Sequence, residues 1–171
     1  MDFFETVEKR RSIRAFDKKD VDAKTIKKLL ETINLAPSAG NLQAYRIYIV
    51  RSAEKKAELV QGCLYQESVA QAPLLLIFSA LKGESEEKYG ERGHDFYSIQ
   101  DATIAAAYCQ LAATALGLSS VWVGGFDPLE VSRIIDAEEE EVPVAVIPLG
   151  YPAENPEKRA RKNIKELIRE I

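Results

Sequence analysis

The chain reads as an α+β protein, with helices set against a small sheet. Three observations predict this. Segments of helical periodicity alternate irregularly with a few strand-like runs. Leu74 to Phe78 is continuously apolar, as expected of a central strand covered on both faces. Asp95 to Leu116 reads as one long helix, apolar around most of its circumference. At 171 residues, 46% apolar and 29% charged, the whole span 1–171 is expected to be one soluble domain.

Taken in order, Phe3, Phe4 and Val7 give a short amphipathic helix ending near Arg10. Asp22 is an N-cap for a helix from Ala23 to about Leu35, with Ile26, Leu29, Leu30 and Ile33 at helical spacing, and Pro37 stops it. Pro37 to Gln43 is rich in turn formers and reads as a loop. Arg46 to Val50 is a strand, and Ser52 caps a helix running to about Cys63. Lys82 to Arg92, charged and holding two glycines, is expected to be a mobile surface loop. Gly117 ends the long helix, and Leu118 to Phe126 is a strand closing on Gly124-Gly125. Asp127-Pro128-Leu129-Glu130 is a strong helix start. Glu138 to Glu141 reads as a solvated acidic loop, and Pro143 to Leu149 as a second buried strand. In the tail, Ile164, Leu167, Ile168 and Ile171 form an apolar stripe.

Composition excludes several classes. A net charge of -4 argues against nucleic-acid binding, which needs a broad positive surface. The longest apolar run, Pro73 to Leu81, is too short to cross a bilayer. The acidic N-terminus lacks a signal-peptide core, so a cytoplasmic location is expected. Cys63 and Cys109 are expected to be buried, reduced thiols. His94 is the only histidine and has no serine or cysteine partner at a recognisable spacing. No catalytic side chain and no metal site are therefore expected.

Against this acidic background two basic clusters stand out. Arg10, Arg11 and Arg14 surround Ser12, and Lys158, Arg159, Arg161, Lys162 and Lys165 lie near the far end. Such crowding is costly unless an anion sits in it, and guanidinium forks suit phosphate. A solvated patch at a helix end is the competing reading of the first cluster. One bound anion reconciles both clusters if Arg10, Ser12, Arg159 and Arg161 converge. Neither a Walker loop nor a dinucleotide fingerprint is present. The pattern points to a phosphorylated cofactor, held by side chains, that performs the reaction itself.

The sequence resembles the FMN-dependent nitroreductase-like oxidoreductases over nearly its whole length. Four features carry the resemblance in order: Arg10-Arg11-Ser12-Ile13-Arg14; Pro37-Ser38-Ala39-Gly40-Asn41-Leu42-Gln43; the alanine-rich helix and following strand from Thr103 to Gly125; and Arg159-Ala160-Arg161. Ala44 departs from the pattern, standing where the family usually has proline. The resemblance implies a mostly antiparallel sheet and an intertwined homodimer with a long interface helix, binding FMN between subunits. Arg10, Arg11, Ser12, Arg159 and Arg161 would hold the phosphate end, and Arg14 would lie near the flavin N1 and C2 carbonyl. Pro37, Ser38, Ala39 and Asn41 would come from the partner subunit. Gly124 and Gly125 would let backbone amides approach the ring, and Gln66 would reach its pyrimidine edge. The implied reaction is ping-pong hydride transfer from NADH or NADPH to flavin N5, then to a nitroaromatic, quinone or flavin acceptor. The same residues also fit a flavin-binding redox sensor or FMN carrier without turnover, or a module binding another phosphorylated ligand.

Overall fold

Strand β2 (Leu74–Leu81) lies at the centre of the molecule, and the computed structural model describes all residues, 1–171. Its alternate side chains enter two cores. Leu74, Leu76 and Phe78 point to one face of the sheet, and Leu75 and Ile77 to the other, all at most 1% exposed. A strand buried on both faces has no polar side, which is why the run is continuous rather than alternating.

The sheet has four strands in the order β1-β2-β4-β3, all antiparallel: β1 is Tyr45–Val50, β3 Ser119–Ser120 and β4 Glu141–Gly150. β1 and β2 run in register from Tyr45 opposite Ala80 to Val50 opposite Leu75. β2 and β4 pair from Leu74 opposite Leu149 to Leu81 opposite Glu141, with an irregularity between Phe78 and Ser79.

Helix α2 (Ala23–Ile33), capped by Asp22, and helix α6 (Ser98–Ala115) cover the first face. Ile26, Leu29 and Ile33 of α2 meet Ala105, Ala106, Cys109 and Ala113 of α6 there. Helix α3 (Ala53–Gly62), capped by Ser52, and helix α7 (Pro128–Ile134), capped by Asp127, cover the second face. Both cysteines are free and buried, and burial pushes the Cys63 thiol up to about 11 and Cys109 still higher. No helix is long and apolar enough to cross a membrane.

Several elements depart from the sequence reading. Lys82 to Arg92 is not a loop: α5 spans Lys82–Tyr89, and a π-helical turn over Gly93–Tyr97 leads into α6. The charged sequence has no apolar stripe, so its order comes from packing. A Cβ on Gly93 would lie 2.2 Å from the Ser85 carbonyl oxygen, a close approach that only glycine permits. The long helix consequently starts at Ser98 rather than Asp95, and its 18 residues span about 27 Å. The expected strand from Leu118 to Phe126 pairs regularly only over Ser119–Ser120, with one further bridge from Val123 to Val146. A short helix, α4 (Glu67–Gln71), has no counterpart in the sequence reading.

Glu141 does not belong to a solvated acidic loop either. It opens β4, is 6% exposed, and its carboxylate meets the Tyr48 hydroxyl and the Arg46 guanidinium from β1. Helix α1 (Phe3–Lys9) forms with a capping box between Asp2 and Glu5, but its buried side chain is Thr6. Phe3, Phe4 and Val7 face outward, as do Ile164, Leu167, Ile168 and Ile171 in the tail.

Candidate functional site

Arg10 to Phe16 is an extended segment laid along the end of the sheet. Ser12 forms a bridge with Ser120, and the Ile13 amide donates to the Ser120 carbonyl at 3.0 Å. Further along, Phe16 bridges Pro152, the Asp17 amide donates to Tyr151, and the Ala153 amide donates to Ala15. Ile13 enters the second core, so alternation turns its neighbours Ser12 and Arg14 away from it, and Phe16 further along packs into the same core. Glu154 completes the seam, accepting the amides of Arg14 and Ala15 at 2.5 and 3.2 Å. This stitching brings the two ends of the chain together.

The result is a recess of about 500 Å³ lined by Val7, Glu8, Arg10, Arg11, Ser12, Arg14, Pro156, Glu157, Lys158, Arg159 and Arg161. Arg10, Ser12, Arg159 and Arg161 therefore do face one space. Six of the lining residues are basic and two acidic. Lys158 pairs with Glu8 at 3.3 Å, whereas Arg10, Arg14, Arg159 and Arg161 have no carboxylate partner. Burial and the neighbouring guanidiniums of Arg161 and Arg11 hold Arg10 below its ordinary range. A cation pressed on by like charges is stabilised by a bound anion.

Arg11 behaves differently from its neighbours. Its guanidinium turns onto the carbonyls of Glu8 and Arg10 at the C-terminal end of α1. That is the helix-end role open to any cation there. Arg11 lines the recess, but its Nη1 is committed to these carbonyls.

Arg14 also borders a second recess of about 350 Å³, with Ala15, Gln66, Glu67, Ser68, Gln71 and Glu154. Gln66 ties this side to the segment after β3: its Nε2 donates to the Gly125 carbonyl at 2.9 Å and to Cys63 at 3.2 Å. Gly124 and Gly125 are exposed, and neither amide has an acceptor within the chain. Their backbones are not in the left-handed region, so glycine serves here by leaving the amides uncovered. Two recesses thus meet at Arg14, one cationic and one flanked by amide donors.

Pro37, Ser38, Ala39 and Asn41 do not reach either recess in the same chain. They form a 3₁₀ turn, Ala39–Asn41, against α5 and α6: the Ala39 amide donates to Asp101 at 2.9 Å, and Lys88 Nζ to the Gly40 carbonyl at 3.2 Å. His94 is not a free loop residue. Nδ1 lies 2.6 Å from Asp95 and Nε2 lies 3.1 Å from Glu140, and the hydrogen bond to Asp95, then that to Glu140, raises its pKa. Sequence reasoning missed Glu154 and Asp101. An isolated acid carries no local signal when its partners are backbone amides far away in the sequence.

The sequence model of the Nitroreductase family matches residues 7–64 and 60–151. A Methanothermobacter thermautotrophicus protein, named as a candidate NADH dehydrogenase/NAD(P)H nitroreductase, is 35% identical over 161 residues, covering 91% of this chain and 80% of its own. The crystal structure of a nitroreductase family protein from Streptococcus pneumoniae superposes with a TM-score of 0.91 at 26% identity, covering 99% of this chain and all of its own. The NADPH:FMN oxidoreductase of Vibrio harveyi, solved in complex with NAD+, gives 0.90 at 26% identity, covering 98% of this chain and 76% of that one.

Proposed function

This chain belongs to the nitroreductase family, and from that membership we infer that it is an NAD(P)H-dependent FMN oxidoreductase. The observation that carries the reading is the convergence of Arg10 and Arg161, from opposite ends of the chain, on one recess. Their residue types fit the phosphate of FMN, since crowded guanidiniums without carboxylate partners call for a dianion of that kind. Arg10, Ser12, Arg159 and Arg161 hold the phosphate and ribityl end. Arg14, where the two recesses meet, sets a cation beside the pyrimidine edge and offsets the negative charge that arrives with a hydride. The uncovered amides of Gly124 and Gly125 are the donors at the ring, and Gln66, whose Nε2 is held by the Cys63 and Gly125 carbonyls, offers its Oε1 as an acceptor at the pyrimidine edge.

FMN, when bound, would supply the redox chemistry, hydride transfer from NADH or NADPH and reduction of an acceptor in a ping-pong cycle. No side chain of the chain acts as nucleophile or general base in this reading. The residues bind, orient and screen charge. Nitroaromatics, quinones and free flavins are the proposed acceptor classes.

A homodimer completes the site. On α6, Ala107, Tyr108 and Ala115 are exposed and Ile104 and Leu111 only half-buried along one stripe, and Phe3 and Phe4 on α1 are 64% and 81% exposed. A second copy covers these surfaces and brings its Pro37–Asn41 turn to the flavin.

The test is incubation of purified protein with FMN, followed by anaerobic titration with NADH and NADPH. Bound flavin absorbance that bleaches with either nucleotide, and returns with a quinone or nitro compound, is the expected result. Colourless protein after incubation would refute flavin binding. Yellow protein that neither nucleotide bleaches would make it a flavin carrier or sensor instead.

A further inference from the structure

The Pro37–Gln43 segment is strained. Asn41 and Gln43 have φ of 57° and 55°, two left-handed non-glycine residues either side of the right-handed Leu42, a conformation that persists only where the surroundings over-determine it. Internal bonds fix its shape: Ser38 Oγ accepts the Gln43 amide at 2.9 Å, and Gln43 Nε2 donates to the Asn41 carbonyl at 2.9 Å. They do not fix its place. From the solvent side Lys88 touches the Gly40 carbonyl, and the Tyr89 hydroxyl occupies the space a Cβ on Gly40 would need. From the inside the one side-chain anchor is Asp101, in the first turn of α6, whose Oδ1 accepts the Ala39 amide at 2.9 Å.

Asp101 is an uneconomical choice for stability alone. It is 2% exposed, and its second oxygen has no hydrogen-bond partner. The Tyr45 hydroxyl is likewise buried without a partner, and burial followed by the Asp101 charge holds that phenol above its usual range. An asparagine could accept the same amide and has an N–H to offer a neighbouring acceptor. A buried carboxylate that leaves polar atoms unpaired around it is not what packing by itself favours. What the carboxylate adds over an amide is a stronger, charge-assisted hold on one backbone N–H.

We propose that Asp101 is a positioning residue which, through the Ala39 amide, fixes the Pro37–Asn41 turn as a wall of the flavin site of the neighbouring subunit. This rests on the FMN-dimer reading above. The carboxylate touches neither cofactor nor substrate and acts only through the turn.

The experiment compares Asp101→Ala, Asp101→Asn and Ala39→Pro with the parent protein, each loaded with FMN. Ala39→Pro removes the donor instead of the acceptor, and Ser38 already has the extended ψ of 162° that a following proline requires. It carries the test where Asp101→Ala fails to fold. Melting temperature, FMN dissociation constant and visible circular dichroism of the bound flavin are read on each. Loss of the contact is expected to weaken FMN about tenfold and alter the flavin dichroism. Asp101→Asn is expected to keep the parent dichroism, because its oxygen still accepts the Ala39 amide, while binding FMN less tightly than the parent and more tightly than Asp101→Ala, because the charge assistance is lost. Altered melting temperatures with parent FMN affinity and dichroism in Ala39→Pro and Asp101→Ala would overturn the proposal. Failure of the FMN reading is distinguishable: the parent itself would then bind no FMN, and Arg10→Ala would change nothing.

Discussion

Replacing Arg10 with Ala is expected to move apo and FMN-loaded stability in opposite directions. In the apo protein Arg10 is disfavoured by burial and by Arg161 and Arg11, so its removal relieves repulsion and the apo melting temperature holds or rises. With FMN, a charge-assisted contact worth about 1.5–3 kcal/mol is lost, weakening binding roughly 10- to 150-fold. At FMN one hundred times the parent dissociation constant, ligand linkage stabilises the parent by about 2.7 kcal/mol. At the same concentration the variant gains only about 0.3–1.3 kcal/mol. For a chain of this size the FMN-induced shift falls from about 5–11 °C to about 1–5 °C. Differential scanning fluorimetry with and without FMN measures both signs at once. A lower apo melting temperature with an undiminished FMN shift would show that Arg10 is a structural cation and not a phosphate ligand.

Other perturbations separate the seam from the core. Glu154→Ala leaves the Arg14 and Ala15 amides to water, so equilibrium dialysis should show weaker FMN binding while urea denaturation records about 1 kcal/mol of lost stability. Tyr48→Phe removes a hydroxyl from a buried carboxylate and should cost about 1.5–3 kcal/mol in the same denaturation; a neutral result would mean Arg46 alone satisfies Glu141. Phe78→Ala, in a fully buried position, should cost about 3–5 kcal/mol. His94 gives a pH signature. Its raised pKa means that its stabilising contribution is complete below about pH 6.5 and is lost as pH rises through the folded value. A His94→Gln variant should therefore narrow the gap in melting temperature to the parent as pH rises from 5.5 to 8, and a gap constant with pH would contradict the sign.

Much of this molecule is written in local pattern. The apolar run of β2, the caps Asp22, Ser52 and Asp127, and the turn at Gly117 depend on neighbours a few residues away, and each specifies its element without help from the rest. Charge logic reached further, because two like-charged clusters in an acidic chain are improbable companions without an anion between them. Tertiary structure alone decided the remainder. Helix α5 has no apolar stripe and packs with Ser85 buried against Gly93, where only a glycine fits. Glu141 is buried because Arg46 and Tyr48 stand opposite it across the sheet. Arg11 turns toward α1 because carbonyls at the end of that helix are within its reach. Glu154 and Asp101 act on backbone amides brought to them only when the sheet and α6 have assembled. Periodicity and capping are short-range and survive in the bare sequence, whereas the partner of a lone acid is chosen by chain segments that meet only in the folded state.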